Sequence, residues 1–142
     1  MVRDHALVAL ALVAACSRDR SGAPGAVPPL AGKAFYRIDA GPRTPCASGA
    51  TCEARLVLTA LGDYHVNQDY PFKFVGDPAR APAVEGTGTF ALDSARQGTL
   101  TITFRPGGPG TARLVGTFKL SVCSDETCEI EAPKLELAIP VS

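Results

Sequence analysis

From Lys33 onward the apolar residues recur at every second position. Leu100, Ile102 and Phe104 alternate with Thr99, Thr101 and Thr103. Leu135, Leu137, Ile139 and Val141 alternate with Glu136, Ala138 and Pro140. Ala112, Leu114, Phe118, Leu120 and Val122 share one parity, with Arg113 and Lys119 on the other. Leu56 and Leu58 repeat the pattern between Arg55 and Thr59. A period of two is that of a strand with one face in a core. Turn-forming clusters at residues 39–48, 76–82, 94–98, 105–110 and 124–127 separate these runs. No stretch carries a 3.6-residue stripe; residues 90–96 come nearest and predict one short turn. About seven strands within residues 33–142 predict an all-β domain, an antiparallel β-sandwich of immunoglobulin-like kind. A small barrel is the alternative. The chain has no Trp, so the buried Trp of antibody domains is missing.

Composition narrows the function classes. Among 142 residues, 14 Lys and Arg balance 14 Asp and Glu, so the net charge is zero. Such a chain has no overall electrostatic footprint for nucleic acid. Hydrophobic residues at 46% suffice for a packed core. Fourteen Gly and 12 Pro favour turns over long helices.

The first residues break the two-residue period. Arg3 precedes ten residues, 6–15, that are all Ala, Leu or Val. Ten residues rise only about 15 Å as a helix, too short to span a bilayer. They fit the apolar region of a signal peptide, residues 1–15. Val13-Ala14-Ala15-Cys16 resembles the lipobox of bacterial lipoproteins. That resemblance implies cleavage before Cys16, a lipid on its thiol and an acylated amine, hence a membrane anchor. An ordinary signal peptide with a chance Cys is the alternative. Residues 16–32 then form the lipidated Cys and a Gly/Pro-rich tether. Ser17, rather than Asp, follows Cys16, which leans toward the outer membrane, with the domain facing the periplasm.

If Cys16 carries lipid, Cys46, Cys52, Cys123 and Cys128 remain. An exported compartment is oxidising, so two disulfides are expected. Four Cys allow three connectivities; the spacing points to Cys46 with Cys52 and Cys123 with Cys128. Neither pair has the tighter knuckle spacing of a zinc site. No metal site and no cofactor are expected.

Two segments could carry chemistry. Residues 62–72 hold two of the three Tyr, the only Asn, and the only His beyond the leader. Tyr64, His65, Asn67, Tyr70 and Phe72 are candidates for a binding loop, since aromatics beside polar groups suit recognition. The plainer reading makes them core anchors at strand ends. A small enzyme would need His65 buried in a cleft. The second segment is a strand ending in Cys123, a polar turn, and Cys128 opening the next strand. Redox activity there needs exposure; Asp125, Glu126 and Glu129 oppose it, because negative charge disfavours a thiolate. A structural staple is the alternative. Those carboxylates lack the Gly-punctuated alternation of a calcium loop.

Together, Gly62-x-Tyr64-His65-Val66-Asn67 with Tyr70-Pro71, and the late strand ending in Cys123 with Cys128 beyond, resemble the N-terminal periplasmic domain of the thiol:disulfide interchange protein DsbD. The resemblance covers roughly residues 50–141. It implies an immunoglobulin-like sandwich and, for Cys123 and Cys128, electron relay to periplasmic partners. The family has one residue more between its two Cys and a Pro-rich stretch after the second. The expected function is therefore a non-catalytic binding or interaction module of the cell envelope, partnered by the membrane and an envelope protein. The alternative is thiol–disulfide exchange through Cys123 and Cys128.

Overall fold

The computed structural model describes residues 27–142. The leader, Cys16 and residues 17–26 of the tether lie outside the described residues. Ten strands follow in chain order: β1 (Ala31–Lys33), β2 (Tyr36–Ala40), β3 (Cys52–Ala60), β4 (His65–Val66), β5 (Lys73–Gly76), β6 (Val84–Ser94), β7 (Gln97–Phe104), β8 (Gly110–Cys123), β9 (Cys128–Glu131) and β10 (Lys134–Val141). Every pairing is antiparallel. One sheet has the order β1-β2-β3-β7-β6, and the other is built on β8. Gly116 pairs with Gly76 of β5 and Leu135 of β10, and Val122 with Val66 of β4 and Glu129 of β9. So β4 and β5 form one interrupted line on one edge of β8, and β9 and β10 another on the opposite edge.

The interruptions have local causes. Pro133 cannot donate to the ladder, but its carbonyl still accepts from Phe118 N–H at 3.0 Å. The loop between β4 and β5 contains Pro71 and is held by turn hydrogen bonds, such as Tyr70 N–H to Asn67 O at 3.1 Å. Counted as lines, seven strands form sheets β2-β3-β7-β6 and β4/β5-β8-β9/β10. That is the four-plus-three order of a constant-type immunoglobulin sandwich. The count of ten reflects the two interruptions and the extra edge strand β1.

Two expectations change. The short turn expected at residues 90–96 is absent, because Phe90 pairs with Leu100 inside β6 and only Ala95 and Arg96 turn. The sandwich also begins before Lys33: Leu30 N–H donates to Ile38 O at 2.8 Å, and Ala31 and Gly32 already pair with β2.

The expected inward parities are the buried ones. Leu56, Leu58, Leu100, Ile102, Phe104, Leu114, Phe118 and Leu120 are all 0% exposed. Burying each such side chain stabilises by about 1.5–3 kcal/mol. Lys33 on β1 reaches Glu131 on β9 at 2.8 Å, tying an edge of one sheet to the other. This clamp lies close to the β8–β9 hairpin.

Candidate functional site

Strand β8 ends at Cys123 and β9 begins at Cys128, as the sequence pattern indicates. Ser124 N–H donates to Thr127 O at 2.8 Å, leaving Asp125 and Glu126 as the turn. Hydrogen-bonded and non-hydrogen-bonded pairs alternate along an antiparallel ladder, so Cys123 and Cys128 occupy the non-hydrogen-bonded register. Opposed side chains come closest there; the Cα atoms are 4.0 Å apart and the sulfurs are bonded. Two-residue hairpins favour turns with positive φ. Asp125 and Glu126 do not have it. Ser124 Oγ instead accepts from Glu126 N–H and Thr127 N–H, each at 3.3 Å.

The second bridge, Cys46–Cys52, has the local pairing expected from its spacing. Its environment is different. Cys46 and Cys52 are 5% and 3% exposed and belong to the core cluster. Cys123 is buried at 6%, outside that cluster, and Cys128 is exposed. One bridge joins two buried residues in the core; the other joins a buried residue to an exposed one. Two disulfides indicate an extracytoplasmic, oxidising compartment.

His65 is the direct cross-strand partner of Cys123 on the edge of β8 opposite Cys128. Directly opposed residues share a face and bring their Cβ atoms to about 4.5–5.5 Å. Their neighbours Val66 and Val122 are 3% and 0% exposed and point into the core. His65, Cys123 and Cys128 therefore form a row on the outer face, across three strands. His65 is exposed, not buried in a cleft. Ile130, two residues beyond Cys128 and on the same face, is 68% exposed.

The remaining candidates of residues 62–72 divide. Tyr64 stacks on Phe35 at 5.2 Å, and Phe72 stacks on Phe90 at 3.9 Å. Both pack against the core cluster, while Tyr70 meets the Phe72 ring edge-on at 5.3 Å. Asn67 ties the loop to β8: its Nδ2 donates to Ser121 Oγ at 3.2 Å and its N–H to Ser121 O at 3.1 Å. Ser121 is 0% exposed and was not among the sequence candidates. Its outward parity on β8 suggests an exposed residue, and only the folded-over loop buries it. His65 itself lines a cavity of about 230 Å³, together with Val66, Asn67, Gln68, Asp69 and Leu92.

The electrostatics at the hairpin are acidic. Asp125 and Glu126 form the exposed turn between the two Cys, while Glu129, opposite the buried Val122, lies on the other face with Glu131, which Lys33 engages. The two turn carboxylates repel an incoming anion and attract a cationic surface. No cluster of three His, Cys, Asp or Glu side chains that could hold a metal ion occurs among the described residues.

No family model and no curated protein matches the chain. Among solved structures it is similar to the ASH / PapD-like domain of human CEP192 (PapD-like domain 7), at 18% identity and a TM-score of 0.35. That match covers 89% of this chain and 96% of that one. The likeness bears on neither the topology derived above nor the chemistry of the hairpin.

Proposed function

We propose that the chain is a cell-envelope lipoprotein, anchored through Cys16, whose sandwich exchanges thiols and disulfides with an envelope protein through Cys123 and Cys128. The observation that carries this reading is the asymmetry between the two bridges. Cys128 is the exposed residue of the pair and Cys123 the buried one, so on this reading Cys128 Sγ is the sulfur that a partner thiolate attacks. Attack on Cys128 Sγ forms an intermolecular disulfide and releases the Cys123 sulfur as a thiolate, which takes up a proton. A second partner thiol then attacks the partner's own sulfur and frees Cys128. The partner dithiol becomes a disulfide, and this chain gains the two electrons and two protons.

The resemblance to the DsbD domain supports the same reading from another side. The two segments that carry it are far apart in sequence, yet His65 and Val66 pair directly with Cys123 and Val122. The acidic surroundings favour a partner whose reactive thiol lies among cationic groups. The lipobox-like leader supports a lipid anchor, and Ser17 in place of Asp supports the outer membrane, with the domain facing the periplasm.

The test is a redox titration of the full chain, with thiol trapping and mass spectrometry reporting each Cys separately. Reduction of Cys123–Cys128 between about −180 and −230 mV, the range of exchange catalysts, is the expected result. Resistance below about −300 mV makes the bridge a staple. It then leaves the second reading, a non-catalytic interaction module. The exposed Ile130 on β9, which pairs only with β8, favours that reading as a docking surface.

A further inference from the structure

The opposite end of β8 carries a cavity of about 520 Å³, within the size range of small-molecule sites. Three arginines are among its lining residues, Arg80, Arg105 and Arg113, all exposed, against one carboxylate residue, Glu136. The chain as a whole is neutral, so this concentration of positive charge is local. The three arginines come from three places: the β5–β6 loop, the β7–β8 loop and β8 itself. Their separation in sequence hides them from any linear motif.

Their existing bonds leave donors free. Arg113 Nη1 donates to Glu136 Oε1 at 3.0 Å, and Arg105 Nη2 to Thr51 Oγ1 at 3.2 Å. Among the described residues Arg80 makes no side-chain hydrogen bond. Each guanidinium has five N–H donors, so most remain available.

The loops beneath are held. Arg80 N–H donates to Asp77 O at 3.1 Å, within a turn in which Ala79 N–H donates to Asp77 Oδ1 at 2.9 Å. Pro106, next to Arg105, is buried and its carbonyl accepts from Gly49 N–H at 3.1 Å. Gly107 O accepts from Ser48 Oγ at 3.3 Å. Loops fixed before binding need less ordering when a ligand arrives.

We propose that this cavity binds a phosphomonoester. Three forked cations match a dianion with three terminal oxygens better than a carboxylate with two. The volume leaves room for the organic group that carries the phosphate. This inference is independent of the redox reading, since the cavity and the Cys123–Cys128 bridge lie at opposite ends of β8. The phosphomonoester has two sources, a soluble metabolite or a lipid headgroup.

The experiment follows the arginine Nε–Hε NMR signals of the full chain during titration with inorganic phosphate at constant ionic strength. The expected result is saturable shifts of Arg80, Arg105 and Arg113. Affinity should fall at least about tenfold in Arg80→Gln and in Arg105→Gln, and stay unchanged in the charge control Lys134→Gln. Co-sedimentation with phosphatidylcholine vesicles doped with phosphatidic acid separates the sources. Extra sedimentation of the unaltered chain over both arginine variants assigns a lipid headgroup; phosphate binding without that difference assigns a soluble ligand. Non-saturable shifts, or an equal loss in Lys134→Gln, overturn the proposal.

Discussion

Reducing the folded chain with a small dithiol should open Cys123–Cys128 long before Cys46–Cys52. The loop-closure entropies do not separate the two bridges. With sequence separations of 5 and 6, they amount to about 2.1 and 2.2 kcal/mol at 25 °C. Burial does separate them. Deleting each buried sulfur adds about 1 kcal/mol for lost packing. The Cys123→Ala/Cys128→Ala variant, with one buried position, should therefore lose about 3 kcal/mol. Cys46→Ala/Cys52→Ala, with two, should lose about 4 kcal/mol. The rates are the sharper readout. Cys128 is open to attack in the native state, whereas a bridge in the core is reached only when the fold opens. At a global stability of even about 5 kcal/mol, the open state is populated roughly one part in 5,000, so reduction of the sealed bridge slows by that factor. Alkylation quench at successive times, followed by mass spectrometry of the Cys-containing peptides, follows both bridges in one sample. Equal rates, or Cys46–Cys52 opening first, would refute the assignment of a sealed and an accessible bridge.

Three further outcomes follow from the packing and the charges. Gly116→Ala should destabilise by about 1–3 kcal/mol in denaturant melts, because an added Cβ would stand 2.5 Å from Val75 O and 2.6 Å from the ring of the fully buried Phe74. Gly98→Ala should be milder even though its Cβ would stand closer still to a neighbour, because the three nearest atoms all belong to the partly exposed Phe90 ring, which can swing off its stack on Phe72. Asn67→Ala should lose about 1–2 kcal/mol by stranding the buried Ser121 hydroxyl, and Asn67→Ala/Ser121→Ala should lose less than the single variant; a larger loss in the double contradicts that bond. The denaturation midpoint should hold through neutral pH and fall above about pH 10. Lys33 is held above its ordinary value by its hydrogen bond to Glu131, and Tyr36 is raised by burial. A raised folded pKa stabilises fully below the unfolded value and is lost as pH rises through the folded one, so an unchanged midpoint up to pH 11 contradicts both.

The strand pattern was legible because a half-buried strand writes its inward face into alternate letters. All of Leu100, Ile102, Phe104, Leu135, Leu137, Ile139 and Val141 lie in the core at the expected parity. The local disulfide pairs were legible for a related reason, since turn residues sit between each pair of Cys. What failed to show depended on distant contacts. Phe90 follows the parity of β6 only because Leu100 pairs with it, so the residues around it read as a turn. Ser121 is buried by a loop more than fifty positions away in sequence, and no local pattern records that. Nor does any spacing reveal that His65 stands opposite Cys123, because strand order in the sheet sets that register.

The two ends of β8 connect these observations. The ten residues from Arg113 to Cys123, at about 3.3 Å each, place the Cys123–Cys128 hairpin on the order of 30 Å from the arginine cavity. The sealed bridge belongs to the cavity end: the segment between Cys46 and Cys52 carries Ser48 and Gly49, which hold Gly107 and Pro106, and Ser142 N–H donates to Cys46 O at 3.0 Å. Reducing Cys46–Cys52 should therefore loosen the loop bearing Arg105, whereas reducing Cys123–Cys128 should leave the cavity intact. The charges are segregated the same way, acidic around the accessible bridge and basic around the cavity, although the chain is neutral. A phosphate-bearing surface that engages the arginines would leave the acidic hairpin pointing away from it. If both proposals hold, Cys128 in that orientation faces away from the surface, and the two ends act without competing. Amide exchange after selective reduction tests the coupling directly: protection at Ser48 and Gly49, whose N–H groups donate to Ser142 O and Pro106 O, should survive opening of Cys123–Cys128 and fall on opening of Cys46–Cys52. The reverse pattern would mean that the hairpin, and not the sealed bridge, supports the cavity.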